Sequence, residues 1–293
     1  MINWKDVELT DKEAIENLIC ASGCHGADYG FANLFMWRHA YNPKIFFAEN
    51  RLLIGNPEWE MYGYPKGDGD VKPSIELLKE DAHSRNKKLI IRGLTDKTLD
   101  EFLSIYNGQF EISEDRDNAD YIYTADKLCN LSGRKLSSKR NHINKFEKNG
   151  NWKLEKIEQS NMQVAKDFLS EFYKEKHDPD LNEEAVALNE LFENFDALEA
   201  IAALLFQNDR PIAFSAGTTL GDDVFDVHFE KALPNVEGAY TMINREFARL
   251  VVSEHPNIGA FNREEDMGIE GLRKAKLSYH PDILLMKYIA KEI

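Results

Sequence analysis

A chain of 293 residues, 43% hydrophobic and 30% charged, is long enough for two domains of ordinary size and has a globular composition. A net charge of −15 excludes a surface coated uniformly by nucleic acid, because phosphate is repelled at long range. No apolar run approaches the roughly 20 residues that cross a bilayer, so integral membrane association is not expected. Met1–Asp6 lacks the basic and then apolar layout of a signal peptide. Cys20, Cys24 and Cys129 are too few for a disulfide framework, and the expected location is a reducing cytoplasm.

In chain order, apolar spacing predicts helices over Asp11–Ala21 and Tyr29–His39, then short strands at Ile45–Ala48, Leu52–Gly55 and Met61–Tyr64. A helix at Ile75–Ser84, a strand at Leu89–Ile91, a helix at Lys97–Tyr106 and a strand at Gln109–Ile112 follow. The second half opens with a strand at Lys153–Ile157 and a helix at Met162–Lys174, broken by His177-Asp178-Pro179 before a helix at Glu183–Phe195. Three strands, Ala200–Phe206, Ile212–Thr219 and Val224–Glu230, are joined by the short polar turns Asn208-Asp209 and Gly221-Asp222-Asp223 and predict an antiparallel meander. A helix over Gly238–Val252, a strand over Ile258–Asn262, a helix over Ile269–Leu277 and a closing strand over Ile283–Ile289 complete the chain.

Helix–helix–three strands–helix–strand–helix–strand therefore occurs twice, with no residue-level repeat. Two helices, a meander and βαβ-like units resemble the GNAT (N-acetyltransferase) fold. The expected class is α/β: two tandem GNAT-like domains, 1–130 and 153–293, joined by a basic connecting helix at 131–152. That join carries Arg134, Lys135, Lys139 and Arg140, a candidate polyanion site for tRNA on an otherwise acidic chain, or else a solvated helix face.

Within Val224–Glu230, alternation places Asp226, His228 and Glu230 on one polar face, against Phe225, Val227 and Phe229 on the other. Moving an acyl group to an amine requires a base and donors for the oxyanion, and these three residues are the candidate proton relay. An edge strand with a solvated face is the plainer alternative. Gly238 and Ala239 open a helix, where backbone N–H groups can meet a pyrophosphate. The segment departs from the coenzyme A pattern of GNAT enzymes at both outer positions, Asn235 and Tyr240.

Gly271-Leu272-Arg273-Lys274-Ala275-Lys276-Leu277-Ser278-Tyr279-His280-Pro281 strongly resembles the signature in the C-terminal domain of lysylphosphatidylglycerol synthases, and a shorter form is similar in Fem-type aminoacyltransferases. Asp120–Tyr123 and Lys139–Phe146 look like the middle of a soluble bacterial branch of this group. The resemblance implies transfer of an aminoacyl group from charged tRNA, with Lys276 steadying negative charge and Arg273 meeting an anion. Ala275 departs from the aromatic that these families carry there. With Gly238, Ala239 and Asn262, Arg273 completes the candidate cofactor contacts.

The acidic loop Arg263–Gly268 could hold a cationic amine or a metal, but spacing alone does not make it a metal site, and none is expected. No tightly bound cofactor is expected either, with aminoacyl-tRNA or acyl-coenzyme A as co-substrate and a small molecule as acceptor. Two rival readings are an acyl-coenzyme A-dependent N-acyltransferase and a non-catalytic ligand-binding module on the same fold.

Overall fold

The computed structural model describes residues 2–56, 58, 60–174 and 179–293. The predicted break at His177-Asp178 lies outside the described residues. The first elements are β1 (Lys5–Asp6), α1 (Lys12–Ser22), α2 (Phe31–Met36), α3 (Arg38–Tyr41), β2 (Lys44–Ala48), β3 (Arg51–Asn56), β4 (Met61–Gly63), β5 (Lys66–Gly67), α4 (Lys72–Ser84), β6 (Ile90–Leu94), α5 (Asp96–Tyr106) and β7 (Phe110–Glu114). Then come β8 (Asp120–Thr124), α6 (Ala125–Asn130), α7 (Ser137–Lys148), β9 (Trp152–Lys156), α8 (Met162–Lys174), α9 (Pro179–Glu193), β10 (Ile201–Gln207), β11 (Arg210–Leu220) and β12 (Val224–Ala232). The chain ends with α10 (Ala239–Glu254), β13 (Ala260–Asn262), α11 (Glu270–Leu277), β14 (Ile283–Leu285) and β15 (Tyr288–Glu292).

Two compact units form. One contains Met1–Tyr121, Glu264–Lys274 and Leu284–Ile293, and the other Ile122–Arg263 and Ala275–Ile283. The first has a mixed sheet in the order β1-β2-β3-β4-β6-β15-β7, with β5 paired to β3. Ile75, Leu78 and Ala82 recur at helical spacing along α4 and are buried with Leu53, Ile91 and Phe102 in its core. The hydroxyl of Thr98 accepts from the Thr95 backbone N–H at 2.7 Å, a cap that fixes where α5 starts. The expected helix over 29–39 is divided into α2 and α3 at Trp37, whose backbone takes a turn conformation (φ −91°, ψ 7°).

The second unit's sheet runs β14-β8-β13-β12-β11-β10-β9. The β10-β11-β12 meander is antiparallel, as its short turns require, and β13 adds to β12 in parallel. α10 turns Ala239, Met242, Ile243, Phe247 and Val251 inward, and Phe225 of β12 meets Phe247 edge-on at 5.8 Å.

The linear division at 130 and 153 is corrected by strand pairing. β15 lies between β6 and β7, with Ala290 opposite both Ile91 and Ile112, so the end of the chain completes the first sheet. β14 belongs to the second sheet, which splits the single closing strand expected over Ile283–Ile289. A two-residue interruption at Met286-Lys287 separates the two. Residues 131–152 are no separate connector: α7 packs on α10 within the second unit.

Candidate functional site

β12 has a strand on each side, so its polar residues do not line a solvated edge. Its alternation is also interrupted. Ala216 pairs with Phe229 but Thr218 with Asp226, so β12 has one more residue than β11 across this stretch, a β-bulge at Val227-His228. Gly217 lies opposite the bulge, where a Cβ would come within 2.0 Å of the Asp226 carbonyl oxygen. Only glycine fits there.

The bulge corrects the expected common face. Glu230 turns toward α10, the side that Phe225 also faces and that strict alternation would deny to one of them. Asp226 and His228 group with Thr218 rather than with Glu230. The imidazole Nε2 lies 2.9 Å from the Thr218 hydroxyl, and Nδ1 lies 3.6 Å from Asp226 Oδ2, with both side chains enclosed. A carboxylate on one side of an imidazole and a hydroxyl on the other is an arrangement that can orient the ring and hold a proton on it. Asn262 is buried on β13, in register with Asp226.

Glu230 anchors a second, cationic group. Its carboxylate accepts from Arg263 Nη2 at 2.7 Å and from Asn244 Nδ2 at 3.0 Å. Lys276, only 7% exposed, donates to the Arg263 carbonyl oxygen at 2.5 Å, and Tyr123 donates to the Lys276 carbonyl at 2.7 Å. Lys139 turns inward from α7 and sits 3.8 Å over the Tyr279 ring, with the Arg263 guanidinium 5.0 Å from the same ring centre. Burial first, and the positive charge of Arg263 second, bring the Lys139 ammonium down to about 8. Arg263 is the central residue that sequence reasoning missed. In the sequence it is only the start of an acidic loop, and its one signal is its place directly after a strand end.

The remaining candidates have structural partners. Arg273 donates from Nε and Nη2 to Asp266 at 2.9 and 2.7 Å, and from Nη2 to Asp117 at 2.6 Å, which corrects its expected availability to an external anion. Asp266 is fully buried and also accepts from Arg116 at 3.0 Å and the Gly268 N–H at 2.9 Å. Despite that burial, these donors hold it well below the usual carboxylate range. Glu265 behaves oppositely: burial, with Asp28 and Glu264 nearby, raises it to about 8.

Gly238 has φ +86°, and a Cβ there would lie 2.6 Å from the His142 carbonyl oxygen and 3.1 Å from Phe146 Cβ. α7 therefore packs against the side of Gly238 where a Cβ would stand. The basic segment also divides. Arg134 and Lys135 are exposed, whereas Arg140 donates to the carbonyls of Leu131 and Gly133 at 2.5 and 2.7 Å.

The family described as phosphatidylglycerol lysyltransferase, C-terminal, matches residues 22–291. A conserved protein of unknown function from Bacteroides thetaiotaomicron is 34% identical, with a TM-score of 0.93 and 100% of each chain covered. L-PGS from Bacillus licheniformis is 15% identical with a TM-score of 0.66, covering 96% of this chain and 92% of that one. FemX is 8% identical with a TM-score of 0.64, covering 100% and 98%. The fold is thus tandem GNAT-like, as the element order implied. Among the described residues, no helix is long and apolar enough to cross a membrane.

Proposed function

The chain belongs to the phosphatidylglycerol lysyltransferase C-terminal family, and from that membership we propose that it transfers an aminoacyl group from charged tRNA to an amine or hydroxyl of a small acceptor. The observation that carries the chemistry is the imidazole of His228 set between Thr218 and Asp226 inside the second sheet. The proton of the attacking acceptor nitrogen or oxygen passes through the Thr218 hydroxyl to His228 Nε2 as the aminoacyl carbonyl is attacked. Asp226 stabilises the imidazolium that results. The ester bond to the donor then breaks, and His228 returns the proton to the leaving oxygen. Lys276 brings positive charge to the region of the developing oxyanion. Glu230, held by Arg263 and Asn244, is a positioning residue rather than the base.

One observation weighs against the acyl-coenzyme A reading: Asn235 and Tyr240 depart from the coenzyme A pattern on both sides of Gly238. Thermal stability in the presence of charged tRNA, and separately of acyl-coenzyme A, tests the donor. A ligand at 100 times its dissociation constant adds about 2.7 kcal/mol. Stabilisation by lysyl-tRNA, followed by labelled lysine appearing on an amine acceptor, is the expected result. Protection by acyl-coenzyme A alone would overturn the donor, and a ligand that protects without any transfer would favour a binding module.

A further inference from the structure

One buried lysine of the first unit takes no part in the transfer. Lys66, on β5, is only 3% exposed. Its Nζ lies 3.8 Å over the Tyr29 ring and 5.7 Å from the centre of the Tyr64 ring, and its side-chain hydrogen-bond partner is the thiol of Cys24. Among the described residues no carboxylate forms an ion pair with it: Asp28 is held by Lys287 at 2.6 Å, and Lys287 also takes Asp120 at 2.7 Å. A buried lysine is ordinarily found with an acid partner. Burial brings Lys66 below its usual range, against the opposing charges of Cys24 and Asp28, and so favours a neutral amine with a free lone pair.

Both partners are held in place. The Cys24 N–H donates to the Ser22 hydroxyl at 3.1 Å just after α1, and the backbone of Lys66 pairs with Leu52 of β3. Cys24 is half-buried, so a small oxidant can reach its sulfur while Lys66 stays shielded from water. An amine beside such a thiol is a trap for the first oxidation product of the sulfur, because a sulfenic acid condenses with a neighbouring nitrogen.

We propose that Cys24 and Lys66 form a reversible sulfur–nitrogen cross-link, a sulfenamide, when hydrogen peroxide reaches the thiol. The Cys24 sulfur attacks one peroxide oxygen, the O–O bond breaks, and a sulfenic acid and water result. Lys66 Nζ then attacks that sulfur. The S–N bond forms, the S–O bond breaks, and the hydroxide leaves with an amine proton as water. A low-molecular-weight thiol reverses the link: two thiols return the Cys24 thiol and the Lys66 amine and are themselves oxidised to a disulfide. The link ties the turn after α1 to β5. This goes beyond the transfer reading and does not depend on it.

The full-length protein is treated with hydrogen peroxide, quenched with N-ethylmaleimide, digested without reductant and read by mass spectrometry. The expected result is the Cys24 peptide joined to the Lys66 peptide, lighter by two hydrogen atoms than the unlinked pair and separated again by dithiothreitol. Dimedone, which captures sulfenic acid, should label Cys24 weakly in the parent and several-fold more in Lys66→Met, whose thioether keeps the stem against the Tyr29 ring. If that variant misfolds, the cross-link in the parent still decides the matter. Cys24 recovered as a sulfinic acid, or in a disulfide with Cys20, with Lys66 unlinked, overturns the proposal. Equal dimedone labelling of the parent and a folded Lys66→Met overturns it as well, because the amine would then not be the trap. None of these outcomes bears on whether His228 supports transfer.

Discussion

Replacing Lys276 separates two meanings of a lysine in a family signature. The side chain is 7% exposed, and its ammonium donates at 2.5 Å to the carbonyl oxygen of Arg263. Lys276→Met preserves most of the buried stem and removes only the charged donor. A hydrogen bond to a charged group contributes about 1.5–3 kcal/mol, and its loss also leaves a buried carbonyl without this donor. For a domain of about 150 residues, each kcal/mol moves the midpoint by roughly 2–4 °C, so the variant should melt about 3–12 °C lower. Lys274 is the internal control: it lies on the same helix but is exposed, and Lys274→Ala should stay within about 0.5 kcal/mol. Thermal melts of both variants, with turnover then measured well below the lower midpoint, give the comparison. A Lys276→Met midpoint within 2 °C of the parent would refute the structural reading of the bond and leave Lys276 as a residue of the reaction alone.

Other outcomes follow from the same geometry. His228→Asn should lower single-turnover transfer by about 10²–10⁴, and a variant that keeps full turnover would remove His228 as the base. Glu265 is raised to about 8 when folded, from 4.5. Its contribution to stability is therefore complete below about pH 4.5 and is lost as pH rises toward 8, so Glu265→Gln should flatten the decline in denaturant midpoint across that window. Gly238→Ala should destabilise, because its φ is +86° and the new Cβ would meet His142 at 2.6 Å; an unchanged melt would disprove the close approach of α7. Changing Arg134 and Lys135 to Ala should flatten the salt dependence of tRNA binding by about 0.7–0.9 in slope per lost phosphate contact, and an unaltered slope would leave them as a solvated turn.

Much of the fold was legible because its periods are strong. α8 at Met162–Lys174 and the β10-β11-β12 meander stand where apolar spacing and two short polar turns put them. β15 was not legible as a member of the first sheet, since Tyr288–Glu292 carries nothing local that names β6 and β7 as its neighbours. Partner choice between sheets is a long-range property. The site was half legible for a related reason. Alternation selected Asp226, His228 and Glu230 correctly as polar residues of one strand, but the bulge at Val227-His228 depends on Gly217 in a different strand. Arg263 was passed over because an arginine heading Glu264-Glu265-Asp266 reads as part of a charged loop. Its partner Glu230 is 33 positions away.

The signature on α11 gains a physical meaning from these contacts. Its two most conspicuous cations both reach back to the loop after β13: Arg273 grips Asp266, and Lys276 holds the Arg263 carbonyl. A bidentate arginine–carboxylate pair and an ammonium–carbonyl bond constrain direction as well as distance. What they fix is the backbone from which the Arg263 side chain extends, and that side chain holds Glu230 with one nitrogen while another has no partner among the described residues. In the proposed transfer the motif would therefore act through Arg263, at one remove. A substitution at Arg273 should then cost stability, because Arg273→Met leaves the buried Asp266 without its bidentate partner. It should lower the melting midpoint more than Lys274→Ala does. A melt unchanged in Arg273→Met would return Arg273 to direct contact with a ligand.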